Sequence, residues 1–361
     1  MLPTFRCVTD CIYCYADRRT KRAQFDLKPF GKLLKELVSC GMETVEFSGG
    51  DFFCRRDAFE MIAETFRHGL YPVIPTKFPL SVRQVQKLAD LGLKTIQVSI
   101  DALSPDLIDR MVRRHGYGKR ILNTIDLLGE AGINVRTNTV MTPFNMDDVP
   151  NLIAHLIKRP FIMKSNITCY SRSIYQHDDS MFVEGAALKI VEEKITSIIS
   201  ANPDRRINYG GANADYYAGG PDEKAIAYEQ RAFCTANRWG VVVLPDGRVT
   251  VCEELYSHPD FVIGDLNHNS LTEIWHSAKA LSLAKPVQEL VPDGACRFCA
   301  DYHECHNDLG RCYREAIKAY GYDRAHWPDP RCPHAPRGNP FIAPSVLKLD
   351  HLNIASDHFL V

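Results

Sequence analysis

Residues 6–15 read Arg-Cys-Val-Thr-Asp-Cys-Ile-Tyr-Cys-Tyr and space three cysteines, Cys7, Cys11 and Cys14, as CxxxCxxC. Cysteine thiolates are preferred ligands of zinc and of iron–sulfur clusters. A four-iron cluster takes four cysteines when every iron is ligated, so a three-cysteine loop leaves one iron free to bind another molecule. The stretch therefore predicts a metal cluster that takes part in chemistry.

The bulk composition is that of a globular protein without a strongly charged partner. The 361 residues are 45% apolar and 24% charged, with a formal net charge of −1. This balance favours neither a nucleic acid nor an anionic membrane as partner. We expect a cytoplasmic location, because no signal peptide precedes Cys7 and no apolar stretch approaches a membrane span. In that compartment the thirteen cysteines are better read as metal or redox ligands than as disulfides.

Strand-like and helix-like stretches alternate from the cysteine loop to about residue 200. The strand-like runs lie at 2–5, 44–47, 72–76, 94–100, 135–140 and 166–170, with helical spacing between them. Such repeats favour a parallel sheet, either a barrel or an open doubly wound sheet. Because about six units are present, we predict an α/β fold with a partial (β/α)6 TIM-like barrel.

The alternation stops near residue 202, and a second domain is predicted beyond a linker. Residues 239–251 are typical of a β-hairpin around a Pro-Asp-Gly turn. Seven cysteines lie at or beyond Cys234. The predicted organisation is a barrel over 1–202, a linker or loop over 203–233, an iron–sulfur domain over 234–335, and a C-terminal tail over 336–361.

Several candidate site residues follow the predicted strands. They are Gly49, Gly50 and Asp51 after the second strand, Ser99 after the fourth and Asn138 on the fifth. The carboxyl ends of parallel strands form the edge where active sites of such folds lie. Simpler roles stay open: the Gly-Gly pair also suits a tight turn, and Ser99 and Asp101 also suit the cap of the following helix.

The cysteine loop resembles that of the radical SAM enzymes. The resemblance implies a four-iron cluster on the three cysteines, whose open iron binds the methionine part of S-adenosylmethionine. It also implies that Tyr13 lies against the adenine and that Ser99 contacts the ribose. Residues 48–51 look like the Gly-Gly-Glu element that holds the methionine amino group, with Asp51 in place of the glutamate. Arg110, Arg113 and Arg114 are either a solvated helix face or a source of one contact to the cofactor carboxylate.

The later cysteines are similar in spacing to the SPASM extension of that superfamily. Its Cys-x(9–15)-Gly-x4-Cys pattern fits Cys234, Gly247 and Cys252, and its Cys-x2-Cys-x5-Cys pattern begins at Cys296. The resemblance implies one auxiliary four-iron cluster on Cys296, Cys299, Cys305 and Cys332. It implies a second auxiliary cluster on Cys234, Cys252 and Cys312, whose fourth position is open or taken by His258 or by a substrate thiol. The interval from Cys305 to Cys312 is longer than in the family.

This family resemblance implies a peptide-modifying enzyme. A 5′-deoxyadenosyl radical would abstract a hydrogen atom from a ribosomally made precursor peptide, leading to a cross-link, an epimerisation or an oxidation. Glu253 follows Cys252 where sulfatase-maturing relatives carry a catalytic base, and we assign it that role. The expected partners are the precursor peptide, an electron donor such as flavodoxin or ferredoxin, and a separate leader-binding protein, since few residues precede Cys7.

Three other interpretations stay open. Two lie within the family: a sulfatase-maturing enzyme that makes formylglycine, and a maturase for a quinone cofactor. The third is of another class, a non-catalytic iron–sulfur or zinc protein. Zinc ribbons of a nucleic-acid binder fit less well, because no basic patch accompanies the late cysteines.

Overall fold

The structure is a computed structural model that describes residues 1–16, 24–171, 173–175, 178–183, 185–210, 225–226, 228–307 and 309–336. The chain divides into two compact units. The described part of the first unit is 1–14, 24–171, 178–183 and 185–210, and the second unit holds the remainder. Among these residues, no helix is both long and apolar enough to cross a lipid bilayer.

Parallel strands form the sheet of the first unit. They are β1 (Thr44–Glu46), β2 (Tyr71–Val73), β3 (Pro75–Thr76), β4 (Thr95–Ser99), β5 (Asn134–Met141), β6 (Ile162–Cys169) and β7 (Ile207–Tyr209). β1 pairs with β2, and β3 to β7 pair in chain order. Only Ile74 separates β2 from β3, and its carbonyl accepts from Gln97 N at 3.0 Å. Strands that follow one another without reversal build a curved barrel wall rather than a doubly wound sheet, as predicted.

Helices connect the strands. They are α1 (Leu27–Ser39), α2 (Ala58–Arg67), α3 (Val82–Asp90), α4 (Pro105–Val112), α5 (Tyr117–Glu130), α6 (Val149–Leu156) and α7 (Gly185–Ala201). Local sequence sets their starts. Ser81 and Gln84 form a reciprocal capping box at α3, and Pro105 occupies the first turn of α4.

The chain start runs along the end of β1 rather than forming a regular strand. Backbone N–H groups of Ser48, Gly50 and Asp51 donate to carbonyls of residues 1, 4 and 6 at 2.6 to 2.9 Å. The predicted strand at 2–5 is therefore an extended segment of this sheet. It delivers residue 7, the first cysteine, to the edge where β1 ends.

One predicted boundary was wrong. The linker predicted over 203–233 contains β7, which pairs with β6 through Ile207 and Ser165. Residues 211–224 and 227 of that range, and residues 337–361 of the predicted tail, lie outside the described residues. β7 closes the apolar layer between the sheet and α7, because Ile207 and Tyr209 pack against the cluster that contains Ile195.

The second unit contains a small antiparallel sheet and short helices. The strands are β8 (Val242–Val243), β9 (Arg248–Thr250) and β10 (Val262–Asp265), in the order β10-β9-β8. The helices are α8 (Leu271–Trp275), α9 (Ala278–Ala284), α10 (Tyr302–Asn307) and α11 (Tyr313–Tyr320). The predicted hairpin is confirmed as β8 and β9. Its turn holds Gly247 at φ +92°, a conformation that favours glycine.

Candidate active site and metal centres

The cysteine loop is anchored on the carboxyl end of α4. Asp10 N donates to Val112 O and Ile12 N donates to Met111 O, both at 3.0 Å. The last carbonyls of a helix lack partners within it, so the loop satisfies two of them. The loop thus has a fixed place beside the strand ends.

Two arginines beyond α4 reinforce this anchor. Arg113, in a left-handed conformation at φ 52°, donates to Asp10 Oδ2 at 3.1 Å. Arg114 donates to Val8 O at 2.6 Å. Instead of presenting a free helix face, both side chains contact the cysteine loop.

The thiols of the loop converge on one hydroxyl. Thr9 Oγ1 lies 3.2 Å from Cys7 Sγ and 3.4 Å from Cys11 Sγ, and Cys14 N donates to Cys11 O at 3.2 Å. Burial raises the pKa of the Cys11 thiol, whereas nearby Lys77 opposes that rise. Three thiols on one short turn are a donor set that fits a cluster with an open position.

Gly49 and Gly50 are required by close backbone packing. A Cβ on Gly50 would lie 2.1 Å from Arg6 O, and one on Gly49 would lie 2.7 Å from Thr4 O. Gly49 also has φ +110°. The pair therefore lets the segment that leads into the cysteine loop cross directly over the end of β1.

Asp51 points into the protein. Its side chain is 2% exposed and accepts from Phe53 N at 3.1 Å, Thr76 Oγ1 at 3.0 Å and Lys77 N at 2.6 Å. Burial raises its pKa to about 6 against these lowering contacts. The carboxylate thus ties the turn after β1 to the end of β3, and its contact with a methionine amino group stays a prediction.

A buried ion pair lies beside the cysteine loop. Lys77 Nζ lies 2.5 Å from Asp101 Oδ2, and the same oxygen accepts a hydrogen bond from Tyr13 OH. Val140 N donates to the other Asp101 oxygen at 3.1 Å. Burial, and then Asp101, raise the pKa of Tyr13 well above its ordinary value, so the phenol stays protonated. The sequence did not single out Lys77, since a lysine after a strand carries no motif.

A row of polar side chains crosses the sheet. Ser99 on β4 is the register partner of Asn138 on β5, and Asn138 is the partner of Asn166 on β6. Asn208 on β7 continues the row. Register partners in a parallel pair point to the same face of the sheet. Ser99 and Asn138, two residues that the sequence predicted for the site, therefore lie side by side on one face. Asn166 and Asn208 were not predicted as site residues.

Four late cysteines share one cavity in the second unit. The cavity has a volume of about 370 Å³, and Cys296, Cys299, Cys305 and Cys332 all line it. Cys299, Cys296 and Cys305 each contribute to the electrostatic field at the Cys332 thiol. Four thiols around one space form a closed donor set, which fits a cluster with no open position.

Two family models match this chain. Residues 1–156 match the family model described as the radical SAM superfamily. Residues 234–306 match SPASM, described as an iron–sulfur cluster-binding domain. The chain is a radical SAM enzyme with a SPASM domain. Its cofactors are therefore iron–sulfur clusters of the four-iron type and S-adenosylmethionine, and the non-catalytic interpretation is wrong.

Individual proteins resemble this radical SAM enzyme over nearly its whole length. A PqqA peptide cyclase of Rhizobium meliloti (strain 1021) is 25% identical over 92% of this chain and 86% of its own. Streptococcus suis SuiB, solved bound to precursor peptide SuiA, has a TM-score of 0.69 at 17% identity, covering 96% of this chain and 75% of SuiB. Native anSMEcpe with bound AdoMet has a TM-score of 0.63 at 13% identity, covering 91% of this chain and 92% of its own.

The other three cysteines of the SPASM domain are only partly brought together. Burial raises the pKa of Cys252 to about 12, and Cys312 adds to that rise. Cys234 lines a small cavity with Gly310 and Tyr313. His258 stacks on Tyr322 at 4.2 Å and accepts from Asp260 N at 3.2 Å through Nδ1. The fourth ligand of this set stays a prediction.

The two acids that follow Cys252 have different surroundings. Glu253 is half-buried, and its Oε2 accepts from Tyr15 OH at 3.2 Å. Glu254 is 6% exposed and pairs with Arg314 at 2.7 Å. Glu254 is thus committed to an ion pair, and the role of Glu253 as a base stays a prediction.

Proposed function

We propose that this enzyme abstracts a hydrogen atom from a ribosomally made precursor peptide and thereby cross-links or otherwise oxidises it. One observation carries the proposal. The three-cysteine loop lies at the carboxyl edge of a barrel sheet, in a chain whose second unit gathers four cysteines on one cavity. The peptide as substrate class is supported by the 25% identity to a PqqA peptide cyclase across 92% of the chain.

Each set of cysteines would hold its own iron–sulfur cluster. Cys7, Cys11 and Cys14 would hold the cluster that binds S-adenosylmethionine. The four cysteines of the 370 Å³ cavity would hold one auxiliary cluster, and Cys234, Cys252 and Cys312 would hold another. When bound, the first cluster and S-adenosylmethionine supply the 5′-deoxyadenosyl radical that takes a hydrogen atom from an unactivated carbon.

Residues at the strand ends would position the cofactor. Tyr13 is fixed by Asp101, which orients its ring for contact with the adenine. Ser99 and Asn138 are neighbours on one face of the sheet and supply a hydroxyl and an amide for the ribose. Gly49 and Gly50 allow the close backbone approach that cofactor binding at this edge needs.

Glu253 would act as the base in the SPASM domain. A peptide that forms a new bond after losing a hydrogen atom must also lose a proton and an electron. A carboxylate can accept the proton, and an auxiliary cluster would accept the electron. The Tyr15 hydroxyl holds one Glu253 oxygen at 3.2 Å, which orients the acid. We propose that an electron donor of the flavodoxin or ferredoxin type and a separate leader-binding protein complete the system.

A maturase for a quinone cofactor is the second candidate, because the chain resembles a PqqA peptide cyclase. The product distinguishes the candidates. A carbon–carbon link between two side chains of the peptide supports the quinone pathway. Conversion of a cysteine or serine to formylglycine would support sulfatase maturation instead.

The test is anaerobic reconstitution with iron and sulfide, followed by dithionite, S-adenosylmethionine and a synthetic precursor peptide encoded beside the gene. We expect 5′-deoxyadenosine, and a peptide that has lost two hydrogen atoms by mass spectrometry. Cys11→Ala should abolish 5′-deoxyadenosine, whereas Glu253→Gln should still cleave S-adenosylmethionine but stall the peptide. Absence of 5′-deoxyadenosine from the reconstituted chain would contradict the proposal.

A further inference from the structure

Two buried arginines line the four-cysteine cavity of the second unit. Arg231 is 8% exposed and Arg311 is 6% exposed, and both contribute to the cavity wall. They come from different parts of the chain, one before the β8–β9 hairpin and one before α11. Two guanidinium ions therefore meet at one group of thiols.

Arg231 contacts a cysteine directly. Its Nη2 donates to Cys305 Sγ at 3.6 Å, and its remaining bonds go to Gly310 O at 3.2 Å and Tyr228 O at 2.7 Å. The guanidinium lies 3.7 Å over the Tyr228 ring. The Tyr228 hydroxyl shares a hydrogen bond with the same Cys305 sulfur at 2.5 Å. One sulfur is thus contacted by a cation and by a phenol.

Arg311 acts on a second cysteine of the set through its charge. It lines the same cavity as Cys296 and opposes the rise that burial causes in the pKa of that thiol, and its Nη1 donates to the carbonyls of His326 and Trp327. Backbone carbonyls fix the direction of the guanidinium without neutralising its charge. Its Nε is buried and has no hydrogen-bond partner.

Neither arginine is neutralised by a carboxylate among the described residues. Asp329, the buried acid of the cavity, is paired with Arg331 at 2.6 Å. The other acids that line the cavity are exposed to solvent, where screening weakens them: Glu229, Asp301 and Glu304. A buried cation without a counter-ion costs several kcal/mol. Four thiolates around a metal cluster carry the missing negative charge.

Two of the other late cysteines, Cys252 and Cys312, have balanced surroundings instead. Arg314, Glu254, Glu315 and Asp329 act on their thiols, and Lys318 pairs with Glu254 and Glu315. The ion pairs of Arg314 and Lys318 with the two glutamates have distances from 2.7 to 3.7 Å. Charges paired in this way leave little net positive field on the neighbouring sulfurs.

We infer that Arg231 and Arg311 raise the reduction potential of the cluster held by Cys296, Cys299, Cys305 and Cys332 above that of the cluster held by Cys234, Cys252 and Cys312. Positive charge and hydrogen bonds to cysteine sulfur stabilise the more negative, reduced state of an iron–sulfur cluster. Both arginines are positioning residues in this role. The inference rests on the proposed function only in its assignment of two auxiliary clusters. Of these two clusters, the one held by four cysteines is the preferred electron acceptor.

The experiment is a redox titration of the full-length chain, followed by EPR. The chain carries Cys7→Ala, Cys11→Ala and Cys14→Ala, because these substitutions remove the first cluster. We compare Arg231→Gln and Arg311→Gln with the parent. In each variant, the ratio of reduced to oxidised four-cysteine cluster at a fixed potential should fall at least tenfold. This corresponds to a midpoint potential lower by about 59 mV for a one-electron couple. For Arg231→Gln the other auxiliary cluster is the internal reference, and its ratio should stay the same. Arg311 also lines the small cavity of Cys234, so Arg311→Gln should shift the other cluster less than it shifts the four-cysteine cluster.

Two further variants separate charge from structure. Arg231→Lys keeps the charge and should keep most of the potential. Arg297→Gln removes an exposed arginine next to Cys296 and should change nothing. Unchanged potentials in both Gln variants, an equal shift of both clusters, or loss of the cluster in Arg231→Lys as well as Arg231→Gln would overturn the inference. Zinc in place of iron at this site would overturn it too. Peptide turnover is not measured, so failure of the proposed substrate leaves this result unaffected.

Discussion

The ammonium group of Lys77 has little access to water, and the carboxylate of Asp101 stabilises its charge there. Its side chain is 14% exposed and that of Asp101 is 1% exposed. Burial disfavours the charged lysine, but Asp101, Cys11 and Cys7 together outweigh this effect, so the Lys77 pKa is raised on balance. The pair also holds Tyr13. A single buried pair therefore fixes two side chains beside the cysteine loop.

Replacement of Asp101 tests that dependence. Asp101→Asn leaves the Lys77 charge buried without its counter-ion, so we expect a loss of about 3–5 kcal/mol in the free energy of unfolding. Urea denaturation of the metal-free chain measures it. The control is Lys87→Gln, which breaks an exposed pair with Glu60 at 3.6 Å and should cost under about 1 kcal/mol. Equal losses in the two variants would contradict the assignment.

Asp51 predicts a pH effect with a definite sign. Its pKa in the folded chain is about 6, raised by burial from 3.8. The folded state therefore binds more protons than the unfolded state between these values, and this group's contribution to stability falls as pH rises from about 4 to 6. In Asp51→Asn that fall should be smaller by about 2–3 kcal/mol. Denaturation of the metal-free chain at about pH 4 and about pH 6.5, close to the two pKa values, measures it, with exposed Asp90→Asn as the control. A profile unchanged from the parent in Asp51→Asn would contradict the prediction.

Site residues could be predicted from the sequence only where they belong to a recognisable motif. The three loop cysteines, the Gly-Gly pair and the four cysteines of the cavity stand at recognisable spacings. Lys77, Arg231 and Arg311 stand at no such spacing, because their roles come from burial beside residues far away in the chain. Burial of a charged side chain is a tertiary property, and local sequence does not encode it.

At the scale of elements, the turn after β1 and the chain start act as one unit. Backbone hydrogen bonds join residues 48–51 to residues 1–6, so these two segments are in direct contact. Helix positions were predictable because their apolar spacing is regular, and α2 at Ala58–Arg67 lies in the helical stretch predicted between the strand-like runs 44–47 and 72–76. β7 was missed because three residues before a glycine carry too little periodic signal.

Gly50→Ala tests the close crossing. The added Cβ would lie 2.1 Å from the Arg6 carbonyl oxygen and 2.6 Å from Phe5 C. Both are backbone atoms, so the chain leading into the cysteine loop must shift, at a cost of about 1–3 kcal/mol or more. We expect lower thermal stability and less iron retained by the loop. The matched control is Gly240→Ala, where no heavy atom lies within 4 Å. Normal iron retention in Gly50→Ala would contradict the packing argument.

At the scale of the whole molecule, the cysteines proposed to bind metal divide between the two compact units. Cys7, Cys11 and Cys14 belong to the first unit, and every cysteine from Cys234 onwards belongs to the second. The sequence predicted this division from the change in periodicity near residue 202 and from the clustering of the late cysteines. What it did not predict is the unequal charge around the two sets of late cysteines.

Separate units predict separable loss of metal. The Cys7→Ala, Cys11→Ala, Cys14→Ala variant should lose about four irons per chain, one four-iron cluster, and all 5′-deoxyadenosine formation. Its second-unit iron should remain, because the ligands and the buried arginines of that unit are unchanged. Conversely, Cys296→Ala with Cys299→Ala should lose about four irons but still cleave S-adenosylmethionine. Iron analysis and a 5′-deoxyadenosine assay on both variants decide the matter, with Cys40→Ala, an exposed cysteine outside both sets, as the control. Loss of all iron from either variant would show that the two units do not bind metal independently.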